Sequence, residues 1–384
     1  MLDPFPPPPG WLRDLVTPWA VYFNLHSLPN HIHEILAAFA FYQFVHSYLS
    51  PRLSAALFPR FYPNFPRRTQ LNWDVHVVSL LQSTLINLTA LWVMFADRER
   101  KGMTAEERVY GYTGACGLVQ ALATGYFLYD LIVSTVYVKM FGVGMLFHAI
   151  SALWVFALGF RPFVNFYAPT FILYELSSPF LNIHWFLDKV NMTGSKAQWY
   201  NGITLLVVFF CCRLVWGTWQ SALVYIDMWK AVKQTWTAPL SSVLDPVNTN
   251  ATVFQERDGI LCVDEACARA NAEISYFAHR AAGGVPIWLV LTYVASNLIL
   301  NGLNYYWFSQ MIEAVMKRFR EPAIPAKKEK EPGITKVEVQ PDIVLDAAGK
   351  LRKEEGYFET GDGAEENKTS AVDAFGSETL RKRI

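Results

Sequence analysis

Four ionisable side chains sit inside long apolar runs of this chain: Asp130, His148, Glu175 and Arg213. Charged groups in such surroundings are costly and usually mark a binding site, a pathway or a reaction centre. An imidazole can act as base or nucleophile, and a nearby carboxylate can orient it. A guanidinium at that depth needs a partner, for which Glu175 is the natural candidate. Amides extend the set with Asn87, Asn182, Asn297, Asn301 and Asn304. The last three are spaced i, i+4, i+7 and so share one helix face. Facing inward, they would hydrogen-bond across helices or line a polar cavity. The plainer alternatives are an Arg–Glu pair that holds two helices in register and an Asn stripe that serves as packing glue. Trp154, Trp216, Trp219 and Trp307 read as core or interface residues.

The elements that must position these groups follow from composition. The 384 residues are 52% hydrophobic and 15% aromatic, with 13 Trp. The 33 basic and 33 acidic residues cancel, but 14 of each fall in residues 317–384. The rest of the chain therefore carries roughly half the charge density usual for a soluble domain. This excludes a soluble globular enzyme. The balanced charge argues against nucleic-acid binding, and five Cys exclude a disulfide scaffold. No internal repeat, P-loop or dinucleotide fingerprint is present.

A bilayer core takes roughly 20 apolar residues of helix to cross. About seven stretches qualify: residues 33–49, 75–96, 111–133, 141–160, 163–187, 200–226 and 286–311. The fold class is thus an all-α membrane protein. Pro169, Glu175 and Pro179 interrupt the fifth stretch, a break tolerated where protein or a cavity covers the freed backbone. At ~1.5 Å per residue, His148 and Glu175 lie at matching depths, roughly 10 and 12 Å from the same side. Arg213 is near mid-depth, and Asp130 is near the cytosolic end of the third span. Residues 1–32 form an N-terminal segment, where Trp11, Leu12, Leu15, Trp19 and Tyr22 predict a short interfacial helix. Residues 33–67 are the first span and a basic loop. Residues 316–384 are rich in Glu, Lys, Pro and Gly, which predicts a disordered tail.

Lys/Arg placement sets orientation. The loops bearing Arg52, Arg60, Arg67 and Arg68 and bearing Arg98, Arg100, Lys101 and Arg108 nearly tie. Lys317, Arg318 and Arg320 break the tie toward a cytosolic C-terminus. The loop 230–285 is then lumenal. It holds Cys262 and Cys267, able to form a disulfide, and a glycosylation sequon at Asn250. No metal site is expected, because two further ligands at finger-like spacing are missing. Cys211 and Cys212 read as core residues.

The run Phe147-His148-Ala149-Ile150, followed by Tyr174-Glu175-Leu176-Ser177-Ser178-Pro179-Phe180-Leu181-Asn182-Ile183-His184-Trp185-Phe186-Leu187, resembles the TLC-domain family. That family includes the ceramide synthases, and the segment is most similar to its members outside that group. Residues 73–83, 126–130 and 302–308 add to the likeness, which covers residues 68–315 with the loop 230–285 as an insert. The resemblance implies six helices in a ring around a central cavity, here with an extra first span, and an endoplasmic reticulum location. In the ceramide synthases a His-His pair and downstream acids serve acyl transfer from acyl-CoA. Here the first His is Phe147, one acid position reads Ser178, and a further His position reads Gln82. The chain is therefore expected to bind or sense a membrane lipid in an intramembrane cavity, in lipid metabolism or homeostasis. Arg213, Asn182, Asn297, Asn301, Asn304 and Trp185 would face that lipid. The alternative is an acyl-CoA-dependent acyltransferase with His148 as base and with Glu175 and Asp130 beside it. A transporter ranks last, since paired broken helices are missing. No cofactor is expected, and the sequence sets no oligomeric state.

Overall fold

A computed structural model of the chain describes residues 1–237 and 285–320. Helix α1 (Gly10–Tyr22) follows a proline run and turns Trp11, Leu15, Trp19 and Tyr22 outward. This is the expected short amphipathic helix, with an outer face suited to a membrane interface. Helix α2 (Leu28–Phe44) starts five residues before the predicted span. Pro29 lies in its first turn, where a missing N–H is harmless. The helix runs on through a π turn (Val45–Leu49) into α3 (Ser50–Leu57).

Helix α4 (Arg67–Ala96) is followed by two short helices, α5 (Arg98–Lys101) and α6 (Ala105–Tyr110). Asp97 caps the first, and a Thr104/Glu107 capping box starts the second. Then come α7 (Gly114–Val136), α8 (Val138–Phe141) and α9 (Val143–Leu158). The predicted fifth stretch is broken, as its prolines require. It contains a 3-10 turn (Asn165–Tyr167), α10 (Ala168–Phe171), a second 3-10 segment (Ile172–Ser177) and α11 (Ser178–Lys189). Pro169 and Pro179 each sit in the first turn of an α-helix, the place a proline is tolerated. Helix α12 (Lys196–Phe209) leads through a π segment (Phe210–Trp216) into α13 (Gly217–Thr237), and α14 is Ile287–Arg320. No strand occurs among the described residues.

Four helical stretches are long and apolar enough to cross a membrane: Arg67–Ala96, Gly114–Val136, Lys196–Lys233 and Ile287–Glu313. The apolar α9 is shorter. Helix α4 shows what kind of solvent this fold expects. Its buried face carries Asn72, Asp74, His76, Ser79, Gln82, Ser83 and Asn87, while Leu85, Leu88, Trp92 and Phe95 point outward. A polar interior with an apolar exterior is stable only when the surroundings are apolar too.

Helix α7 packs between α2 and α9 and also touches α4; α4 packs on α11, α11 on α12, and α14 on both α9 and α13. The α2–α7 approach is close because Gly125 has no side chain. A Cβ there would sit 2.6 Å from the Ile35 carbonyl oxygen. At one end of the bundle, Ser27 Oγ donates to Phe160 O (3.1 Å), Val164 N to Val109 O (2.7 Å), and Arg108 pairs with Asp227. At the other, Ser50 Oγ donates to Asp74 Oδ1 (2.6 Å) and Trp73 Nε1 to Ser54 Oγ (2.8 Å). Cys212 is buried, but Cys211 faces outward, so only one of the two is a core residue. Cys262, Cys267, Asn250 and the expected tail lie outside the described residues.

Candidate functional site: a cavity graded from polar to apolar

Two neighbouring lobes share His148, Glu175 and Arg213 in their walls. The polar lobe adds His76, Ser79, Ser178 and Asn182, with Met145, Leu181 and Trp307. The other lobe is walled mainly by Phe127, Ala152, Val155, Phe156, Phe171, Ile172 and Leu300, together with Asn297 and Asn304.

Arg213 is the centre of the polar wall. It sits on the π segment, whose wider turn is the kind of helix defect often found at functional sites. Its Nε donates to Tyr174 O (2.9 Å) and Ser177 Oγ (3.0 Å). One terminal nitrogen donates to Asn304 Oδ1 and the other to Ser178 Oγ, both at 3.2 Å. The guanidinium also lies 4.9 Å from the Phe209 ring centre and 5.9 Å from that of Trp307. Among the described residues no carboxylate pairs with it directly. The expected Arg213–Glu175 pair is instead bridged: Ser178 Oγ donates to Glu175 Oε2 at 2.7 Å. The reason is local. The 3-10 segment ends at Ser177, so Tyr174 O, Ser177 and Ser178 all face the guanidinium before Glu175 can.

His148 and Glu175 line both lobes, as their matching depths predicted, without hydrogen-bonding each other. His148 lies between the rings of Phe127 (6.4 Å) and Trp307 (5.8 Å), and its Nδ1 is buried with no hydrogen-bond partner. A second imidazole, which the sequence reading missed, enters from α4. His76 Nδ1 is 2.7 Å from Asn182 Oδ1, and its ring stacks on Trp185 at 4.2 Å. Asn182 Nδ2 donates to Ser79 Oγ (3.0 Å) and Ser178 O (2.8 Å), which fixes the amide's orientation. Its oxygen then accepts from His76 Nδ1, leaving the ring's lone pair on Nε2. The available signal was the i, i+3 spacing of His76 and Ser79 on one face of α4.

The Asn stripe faces inward. Asn297 and Asn304 line the apolar lobe's rim. Asn301 lies outside the lining. It accepts from Tyr174 OH (2.9 Å) and donates to Ser221 Oγ (2.8 Å) and Asn297 Oδ1 (3.0 Å), while Tyr225 OH donates to Asn297 (2.6 Å). Trp185 supports His76 from behind and is not in the lining; Asp130 is buried on α7 and is not in it either. Phe147 is 56% exposed and points away from the cavity, and Gln82 is fully buried outside the lining.

A model of the TLC domain matches residues 72–313. An uncharacterized TLC domain-containing protein of Schizosaccharomyces pombe is 34% identical over 80% of this chain and 86% of its own. Topoisomerase I damage affected protein 4 of Saccharomyces cerevisiae is 28% identical over 77% and 88%. Human TLC domain-containing protein 4 is 29% identical over 46% of this chain and 66% of its own. None of the matching relatives is named a ceramide synthase. No solved structure matches. A domain match over more than half the chain, and a relative this similar over four-fifths of it, make the chain an integral membrane protein of the TLC-domain family.

Proposed function

We propose that this protein binds an amphiphilic membrane lipid in the graded cavity, with the lipid's head group at Arg213 and its chain in the apolar lobe. The observation that carries this reading is Arg213 itself. It is a buried cation whose hydrogen-bond partners among the described residues are all neutral, and it lines both the polar lobe and the apolar one. Head-group oxygens would give it the negative partner it lacks. Such binding suits a role in membrane lipid metabolism or homeostasis.

The proposed architecture is seven spans, six of them in a ring. Its support is that the neighbours α4, α11, α12, α14, α9 and α7 return to α4. The proposed placement is the endoplasmic reticulum, with the C-terminus cytosolic. The test is lipid extraction and mass spectrometry of the purified protein, comparing the native chain with Ala152→Trp, which fills the apolar lobe. The reading expects one co-purifying lipid class, depleted at least tenfold in the variant; equal lipid in both would sink it.

A second reading is acyl transfer, and the pairing of His76 with His148 in one lobe favours it. An imidazole would take the proton from an acceptor hydroxyl or amine as that group attacks the thioester carbonyl of acyl-CoA. The C–S bond would break, and the departing thiolate would take the proton back. An acylated product that disappears in both His76→Ala and His148→Ala supports this. Full turnover in either variant removes that imidazole from the mechanism.

A further inference from the structure

A second polar cluster, outside the cavity, lies where the N-terminal segment meets α2 and α7. His31 Nδ1 stands 3.2 Å from Asp3 Oδ2 and 2.7 Å from Glu34 Oε2. One donor atom from each residue lies within 4.8 Å of the others. His31 and Glu34 are almost fully buried, at 1% and 5% exposure. Glu34 Oε1 is buried and has no hydrogen-bond partner; His33 Nε2 lies 3.9 Å from it, and both His33 ring nitrogens are also without one. On the far side of His31, Nε2 meets the Tyr112 hydroxyl. The ring is held tightly, because a Cβ at Gly117 would come within 2.3 Å of Nε2.

We propose that Asp3, His31 and Glu34 form a binding site for a divalent transition-metal ion of the zinc class. Imidazole and carboxylate donors suit such an ion. With bonds of about 2.0–2.2 Å, tetrahedral ligand atoms stand roughly 3.3 Å apart. The Asp3–His31 separation already matches, and the Glu34–His31 one has to open by a few tenths of an ångström. Charge points the same way. A dication would balance the two carboxylates of Asp3 and Glu34 with the imidazole neutral. The Tyr112 contact is the outer hydrogen bond that metal-binding imidazoles usually make, orienting the ring through its other nitrogen.

The test uses the full-length protein in detergent, purified through a tag without histidines, stripped with a chelator and titrated calorimetrically with Zn²⁺ alone. One equivalent should bind. Glu34→Gln and Asp3→Asn should each weaken it at least tenfold, and Tyr112→Phe roughly tenfold. Zn²⁺ should raise the melting temperature of the native chain but not of folded Glu34→Gln. Co²⁺ should show visible ligand-field bands without sulfur charge transfer, unchanged in Cys262→Ser/Cys267→Ser. Several outcomes overturn the site: no uptake, uptake unchanged in folded Glu34→Gln, or uptake lost in the cysteine variant. Any of them leaves a proton-bridged clamp or a site elsewhere.

Discussion

Arg108 and Arg213 do opposite things with the same side chain. Arg108 grips Asp227 with two nitrogens, at 2.6 and 2.9 Å, and Tyr167 OH adds a third bond to that carboxylate at 2.7 Å. Its charge is spent on one protein partner, joining α6 to α13. Arg213 spends its hydrogen bonds on a backbone carbonyl, two hydroxyls and an amide, while the nearest carboxylate in its network is one hydroxyl away. A bidentate ion pair fixes two helices, and little is left over for a ligand. A guanidinium cradled by neutral acceptors is positioned just as firmly and keeps its net charge available. Arg213 lines a cavity.

Breaking the Arg108 side should have the largest effect. Arg108→Ala leaves Asp227 buried with Tyr167 as its one remaining partner among the described residues, and should cost on the order of 3 kcal/mol, read as a lowered melting temperature. The double change Arg108→Met/Asp227→Leu should recover most of that loss. If Arg108→Ala is thermally silent, the pair is not a clamp. Next, Arg213→Gln keeps hydrogen bonding but removes the charge. It should deplete the co-purifying lipid about tenfold, equivalent to about 1.4 kcal/mol, and Arg213→Lys should not restore it, since a point charge cannot span the same acceptors. Lipid content equal to native would show that Arg213 is only structural. A sharper version puts a carboxylate beside it. Ser178→Asp should convert Arg213 to the Arg108 pattern, lowering bound lipid a few-fold, with some loss of thermal stability because the new carboxylate also faces Glu175. Retained lipid would mean that the charge does not recruit the head group. The smallest effect belongs to Tyr225→Phe. It removes one hydrogen bond to Asn297 and should cost about 1 kcal/mol of stability with little change in lipid.

Much of this was readable in the chain because bilayers make polar residues conspicuous. His148, Glu175, Arg213, Asn182, Asn297 and Asn304 stood out against apolar runs, and each of the six lines one or both lobes. His76 was missed because it lies at the start of its apolar run, where a polar residue passes for an interfacial one. The Arg213–Glu175 bridge was misread for a different reason. Depth along a helix can be counted from sequence, but rotation about it cannot once a π segment and a 3-10 segment intervene. The same limit applies to Asp130 and Asn301, whose depths fit the cavity while their side chains do not line it. The likeness to ceramide synthases made Phe147 look like a lost catalytic histidine. Its side chain points outward, so the cavity's second imidazole comes instead from α4.

The π segment Phe210–Trp216 has a genetic consequence. A π turn behaves as one extra residue spliced into an α-helix. Deleting a single codon there would restore the ordinary ladder and swing the residues on one side of the deletion by roughly 100° relative to the other. Arg213 would leave the Tyr174 carbonyl, or the face of α13 that meets α14 would turn away. A reading frame can thus keep every lining side chain and still lose the site, and a one-residue length change in this span marks a change of function more surely than many substitutions.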